Sequence, residues 1–344
     1  MNTHQLELPA LNSSDPLGFL AALGILELVD AALDQAVRLS WRGLAAPAVL
    51  HTEQPLSLNQ LAELLAGFLP TEPAKEPLPA APGILGLPRD TNLGAPNDAL
   101  RMPVEQAHRL LRDFAAAERL ADDPRARWFA ALVNQFCVAP AKKAKDQQQK
   151  QQGVTAAPSP VPTQGPTWYT ESTPLFAASG QMTLANNWVK AAEQCRRDGA
   201  HVGAALTGWI RVPDYTGANL DYRSTGDAAT TGDGKPSQQG VPGATWLALH
   251  AFAVFRLTGD AMTSATTAWD SSGPLPALIW PVWTSPLSRT AVSALLEHPL
   301  VRADDLARLD ESLTNLGLVG ICSAHRTKLS NSYGPFEPGQ VVWP

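Results

Sequence analysis

The sequence predicts an α+β fold, with a helix-rich N-terminal half and a mixed C-terminal half joined by a low-complexity linker. Three observations carry this. Up to residue 138 most apolar residues recur at helical spacing. Beyond residue 167, such stretches alternate with short apolar runs bounded by turn residues, as buried strands are. Between them KKAKDQQQKQQ passes into GVTAAPSPVPTQGP, which cannot bury enough apolar surface to offset the entropy of ordering it. The expected organisation is 1–138, a disordered linker at 139–166, and an α+β region at 167–344.

In chain order, residues 5–10 fit a strand. Ser13-Ser14-Asp15-Pro16 is a helix start: Ser14 or Asp15 caps free N–H groups, and Pro16 suits the first helical position. The helix carries Phe19, Leu20, Leu23, Leu26 and Val29 at helical spacing. Gly18 and Gly24 cost it about 1 kcal/mol each relative to Ala, so another backbone is expected to approach there. Val37–Trp41 and Ala48–His51 form a hairpin, and Ser57 caps a helix to Leu69. Residues 70–97 read as a Pro/Gly-rich loop. Helices follow near 98–120 and 123–136. After the linker come Trp168-Tyr169, a helix at 184–197, a polar loop at 213–243 and an apolar helix at 244–257. A strand at 277–283, a helix at 286–298, a strand at 317–323 and a last strand at 341–343 complete the series. No repeat of solenoid period is present.

Composition narrows the function classes. The 344 residues, 44% hydrophobic, can bury a sizeable core. Lys plus Arg number 26 against 32 Asp plus Glu, a net charge of −6. A free-standing nucleic-acid binder is usually basic, so this chain needs a local basic patch or a partner that carries the phosphate contacts. Cys137, Cys195 and Cys322 have neither disulfide-framework nor zinc spacing, and free thiols suit a reducing, cytoplasmic location. The N-terminus lacks a basic segment followed by an apolar run, and the apolar stretch 17–29 is too short to span a bilayer.

No arrangement of residues reads as a complete active site. Gly232-Asp233-Gly234-Lys235-Pro236-Ser237 lacks phosphate-loop spacing. The seven histidines show no ligand spacing, and His250, among apolar residues, reads as structural. Asp122-Asp123 and Asp304-Asp305 precede helical sequence and read as helix N-terminal charges. Of the basic clusters, Lys142, Lys143, Lys145 and Lys150 read as a solvated tail, and Arg196-Arg197 as complementing a helix C-terminus. His325-Arg326-Thr327-Lys328 with Asn331, Ser332, Tyr333 and Gly334 mixes cations, an amide and a ring after an apolar strand. That mixture suits sugar–phosphate contacts and base stacking, with a plain surface turn as an equal alternative. The candidate nucleic-acid contacts are therefore Arg326, Lys328, Asn331 and Tyr333, with Arg223 of the Asp221-Tyr222-Arg223 cluster a weaker one. No cofactor or metal is implied.

Six segments together carry a resemblance: DPLGFLAALGILELV, SGQMTLANNW, DYRSTGD, VPGATWLALHAFAVF, LIWPVWTSPLS and GICSAHRTKLSNSYGPFEP. The series resembles CRISPR-associated proteins of subtype I-G (formerly I-U), either the short large-subunit-like proteins or the extension family that accompanies the helicase–nuclease. The chain departs from that pattern in its Lys/Gln insertion at 140–153 and its lengthened loop after Arg223. The resemblance implies a non-catalytic subunit of an RNA-guided surveillance complex. Its partners would be other effector subunits, guide RNA or target DNA, and the helicase–nuclease, with no membrane involved. The competing readings are a protein–protein adaptor, its ten Trp marking interfaces, and a stand-alone enzyme.

Overall fold

The computed structural model describes residues 3–73, 100, 102–116, 124–140, 168–177, 183–224, 238–261, 263–303, 305–328 and 333–344. Strand β1 (His4–Asn12) leads into helix α1 (Pro16–Ala32), whose N-cap Asp15 accepts from the N–H groups of Leu17 and Gly18. Strands β2 (Arg38–Trp41) and β3 (Pro47–Thr52) form the expected hairpin, and β1 adds to β3 to make a three-stranded antiparallel sheet. Helix α2 (Leu58–Ala66) opens with a capping box between Ser57 and Gln60. Helices α3 (Val104–Ala116) and α4 (Pro124–Leu132) follow, and α4 passes directly into strand β4 (Val133–Pro140).

Strand β5 (Trp168–Ser172) precedes α5 (Leu184–Arg197), which Thr183 caps, and α6 (Ala200–Thr207). The short pair β6 (Val212–Pro213) and β7 (Gln239–Gly240) brackets two 3₁₀ turns, Gly217–Asn219 and Tyr222–Ser224. Helix α7 (Pro242–His250) continues into a further 3₁₀ turn, and β8 (Leu257–Gly259) pairs with β9 (Ser264–Thr266). The largest sheet runs β10 (Trp269–Asp270), β11 (Ala277–Trp283), β12 (Leu318–Lys328) and β13 (Tyr333–Phe336), with β14 (Gln340–Trp343) also on β12. Helices α8 (Arg289–Glu297) and α9 (Asp310–Asn315) lie between β11 and β12.

Helices α1 and α7 are the centre of the molecule. Every residue from Pro16 to Val29, and every residue of α7, is buried. Helices apolar all round belong in a core rather than on a surface. Glycine allows their backbones to meet. A Cβ placed on Gly24 would lie 1.8 Å from the carbonyl oxygen of Leu247, and one on Gly243 would lie 2.0 Å from that of His201 in α6.

One continuous cluster of buried side chains runs from Leu8 to Trp343, and Ala139 and Pro140, placed by the sequence in the linker, belong to β4. Phe19 of α1 stacks on Trp280 of β11 at 5.4 Å, and the indoles of Trp280 and Trp283 donate to the carbonyls of Ser13 and Leu39. Moreover β4 pairs antiparallel with β5, with Ala139 opposite Tyr169 and Pro140 opposite Trp168. The low-complexity segment therefore connects two paired strands; residues 141–167 themselves lie outside the described residues, as do most of the predicted 70–97 loop and residues 225–237.

Among the described residues, four α-helices and four strands fall before residue 141, and five α-helices follow. Val133 to Phe136 leave the predicted helix because Asn134 turns inward. Its amide donates to the carbonyl of Thr258 and the hydroxyl of Ser264, tying β4 to β8 and β9. Tertiary pairing overrides local propensity there. Among the described residues no helix is long and apolar enough to cross a membrane.

Candidate functional site

The β12–β13 hairpin carries most of the predicted site. Arg326 continues the alternation that buries Cys322 and Ala324 and exposes His325, so its side chain faces inward. It is 1% exposed. Its Nη1 donates to the carbonyls of Asn219 and Gly334, its Nη2 donates to that of Leu175, and its guanidinium lies 3.7 Å from the Phe336 ring centroid. Burial lowers its pKa to about 9, so it remains a cation at neutral pH. Arg326 is therefore a clamp between β12, β13, the Gly217–Asn219 turn and the Leu175 segment, and not the surface contact that was predicted. The expected strand ends at Ser323, whereas β12 runs on to Lys328, and the alternation beyond Ser323 is what turns Arg326 inward.

Between Arg326 and Lys328 the register with β13 slips by one residue, and Lys328, the last residue of β12, is exposed. Lys328 lies directly opposite Tyr333. Tyr333 is 43% exposed, and Lys328 and His325 are exposed as well. The structure thus brings Lys328 and Tyr333 together at one end of an eleven-residue strand. Asn331 lies outside the described residues.

Arg223 belongs to a different cluster. Its Nη2 is 2.5 Å from Asp15 Oδ2 and its Nε is 3.4 Å from Asp221 Oδ1, while Arg211 pairs with the other oxygen of Asp221 at 2.9 Å. The guanidinium also stacks on Trp209 at 4.6 Å and on Tyr222 at 4.8 Å. Asp221 is fully buried. Burial raises the Asp15 pKa, against the lowering effect of Arg223 and the Gly18 N–H, and the nearby Asp221 charge adds to the rise. Two arginines and two aspartates neutralise one another beside a cavity of about 460 Å³, so the Arg223 charge is already committed. The network ties the start of α1 to the Tyr222–Ser224 turn. Between the two clusters, Ala218 and Asn219 hold left-handed φ of 56° and 59°, a conformation costly for Ala. The carbonyl bond from Arg326 and the bond from Asn219 Nδ2 to Ala177 hold it in place.

The remaining candidates have structural roles or lie outside the described residues. His250 is buried against Trp128, Trp188 and Trp246, and burial pushes its pKa down to about 3, so the ring is neutral. Arg196 and Arg197 occupy the exposed last turn of α5. Asp305 sits at the N-cap of the Leu306–Leu309 turn, as an N-terminal charge, but makes no side-chain cap hydrogen bond and pairs with Arg308 at 2.8 Å. Lys142, Lys143, Lys145, Lys150, Asp122, Asp123, Asp304 and residues 232–237 fall outside the described residues. Of the ten tryptophans, eight are buried, so they mark the core more than any interface. Among the described residues no three His, Cys, Asp or Glu side chains gather as metal ligands. No protein-family model matches the chain, and no curated protein matches it.

Proposed function

We propose that the chain is a non-catalytic subunit of an RNA-guided CRISPR surveillance complex and that the β12–β13 hairpin is its nucleic-acid face. The single observation behind this is the cross-strand pair of Lys328 and Tyr333, a cation and a ring exposed together on a strand anchored in the core. A cation beside an aromatic ring is the minimal unit for holding a single strand, one contacting phosphate and the other a base. Fixing that unit on a strand rather than on a loop keeps its geometry. The net charge of −6 fits an assembly in which other subunits carry most phosphate contacts.

The test is a salt titration of single-stranded RNA and DNA binding, with the chain alone and within its reconstituted complex. Lys328→Ala should weaken binding to all sequences alike and flatten the log–log salt slope by about 0.7 for the lost contact to a single strand. Unchanged affinity and slope would favour the adaptor reading instead. That reading has its own observation: Phe136 and Trp168 on β4 and β5 are 58% and 46% exposed, unusual for large apolar side chains and open to a protein partner.

A further inference from the structure

The cavity of about 460 Å³ beside the Arg223 network falls within the range of small-molecule sites, roughly 300–1,000 Å³. The charges at its edge are balanced: Arg223 and Arg211 face Asp15 and Asp221. An ion of either sign would compete with an existing pair, so the ligand that fits is uncharged. What the cavity offers instead is directional hydrogen bonding. Arg223 bonds its two carboxylate partners through Nε and Nη2 and leaves the N–H groups of Nη1 without an acceptor among the described residues. That side chain is 36% exposed and lines the cavity, so the free donors are within reach of a ligand.

Acceptors stand beside these donors. Asp15 also lines the cavity; its Oδ2 takes one bond, from Arg223, and a carboxylate oxygen has room for a second. The hydroxyls of Ser14 and Thr207 donate to Asn12 Oδ1 and the Gly203 carbonyl, which leaves their lone pairs free. These groups come from three elements: the start of α1, the end of α6 and the Tyr222–Ser224 turn. A planar amide, with its donor and acceptor on one edge, meets only part of that set, and an apolar side chain meets none of it. Each polar group left unmet costs free energy. Hydroxyls both donate and accept, so several of them around a ring match donors and acceptors alike. Trp209, Tyr222 and Pro338 complete the walls with apolar surface for the C–H face of such a ring. We infer that this cavity binds one neutral polyhydroxylated ring, a monosaccharide unit, with Arg223 Nη1 donating to one hydroxyl and Asp15 accepting from its neighbour. The site does not depend on the proposed nucleic-acid face. A free saccharide and the ribose of an RNA strand share this chemistry.

The experiment is saturation-transfer NMR of the full chain with methyl β-D-ribofuranoside and methyl α-D-glucopyranoside, and with oxane, a ring without hydroxyls, as the control. At least one glycoside should bind, in roughly the millimolar range for a ligand of about a dozen heavy atoms, and oxane should not. Arg223→Lys keeps a cation for Asp15 and Asp221 but lacks the Nη1 donors, and should weaken binding about 10-fold or more. Gly208→Phe separates loss of the site from loss of the fold. Gly208 lines the cavity, its φ of 177° suits any residue, and a Cβ there meets nothing within 4 Å. The added ring should therefore block binding with the melting temperature unchanged. A single-stranded RNA that displaces the glycoside where the DNA of the same sequence does not assigns the ribose of a strand as the source, and displacement by neither assigns a free saccharide. Transfer to neither glycoside, equal transfer to oxane, binding that survives Gly208→Phe, or displacement by inorganic phosphate or by RNA and DNA alike would each overturn the inference.

Discussion

Gly24→Ala tests the packing at the centre of the fold. On an isolated helix the change gains about 1 kcal/mol, the difference in helix propensity between the two residues. Here the added Cβ would sit 1.8 Å from the carbonyl oxygen of Leu247 and 2.7 Å from its carbon. Restoring an ordinary 3.4 Å contact needs the α1 and α7 backbones to separate by about 1.6 Å. The obstructing atom is backbone and cannot rotate away, so the upper end of the overpacking range applies, about 3 kcal/mol. The net loss is then about 2 kcal/mol, or about 3 °C in melting temperature for 344 residues at an unfolding entropy of about 2.1 cal/mol/K per residue. Gly203→Ala in α6 is the counterpart: its Cβ meets only Ala62 Cβ, at 3.8 Å, and it should gain up to about 1 kcal/mol. Thermal unfolding by circular dichroism reads both variants. Equal and positive shifts would refute the close approach of α1 and α7.

Three further outcomes are expected. His250 is held neutral with its pKa near 3, so its stabilising effect is complete above pH 6.5 and is lost as pH falls. By pH 5 the unfolded chain gains about 2 kcal/mol from protonating it. Denaturant titrations of wild type and His250→Phe should therefore diverge between pH 6.5 and 5, and parallel losses would contradict the assignment. Asp15 and Glu27, whose pKa values are raised by burial, act with the opposite sign but equally in both proteins. Arg127 pairs with the buried Glu27, whose other oxygen is 3.7 Å from Arg289. Arg127→Ala should cost about 2–3 kcal/mol, less than the roughly 3–5 of a wholly buried pair because Arg127 is a third exposed. Glu27→Gln in that background should recover most of the loss, and strict additivity in the double-mutant cycle would deny the coupling. Because Pro140 pairs with Trp168, replacing residues 141–167 with a four-residue Asn-Gly turn shortens a closed loop. That should stabilise by about 1–2 kcal/mol, and a melting temperature lowered by more than a few degrees would show that the segment packs on the fold.

Local signals made much of the architecture readable. The cap at Asp15, the box at Ser57 and Gln60, the strand at 277–283 and the helix at 184–197 are each written in a few adjacent residues. Gly24 announced a close backbone, though not that Leu247 supplies it. What could not be read depends on distant partners. The change from helix to strand at Val133 follows from Asn134 reaching Thr258, a residue 124 positions away. Helix α6, AHVGAALT, has too many small residues to declare a face, and it forms where α7 closes on it through Gly243. The candidate site divides in the same way. Lys328 and Tyr333 were visible as a cation and a ring after an apolar strand, whereas the burial of Arg326 needed the strand extended past Ser323. The commitment of Arg223 to Asp15 needed a contact across 208 positions.

The most direct measurement is zero-length photocrosslinking of a 4-thiouridine-containing single strand to the chain in its reconstituted complex, with adducts mapped by mass spectrometry. Adducts concentrated on the peptide spanning Lys328 and Tyr333, and lost in Tyr333→Ala, are the expected result. Adducts that form elsewhere and spare that peptide would contradict the assignment of the hairpin as the nucleic-acid face.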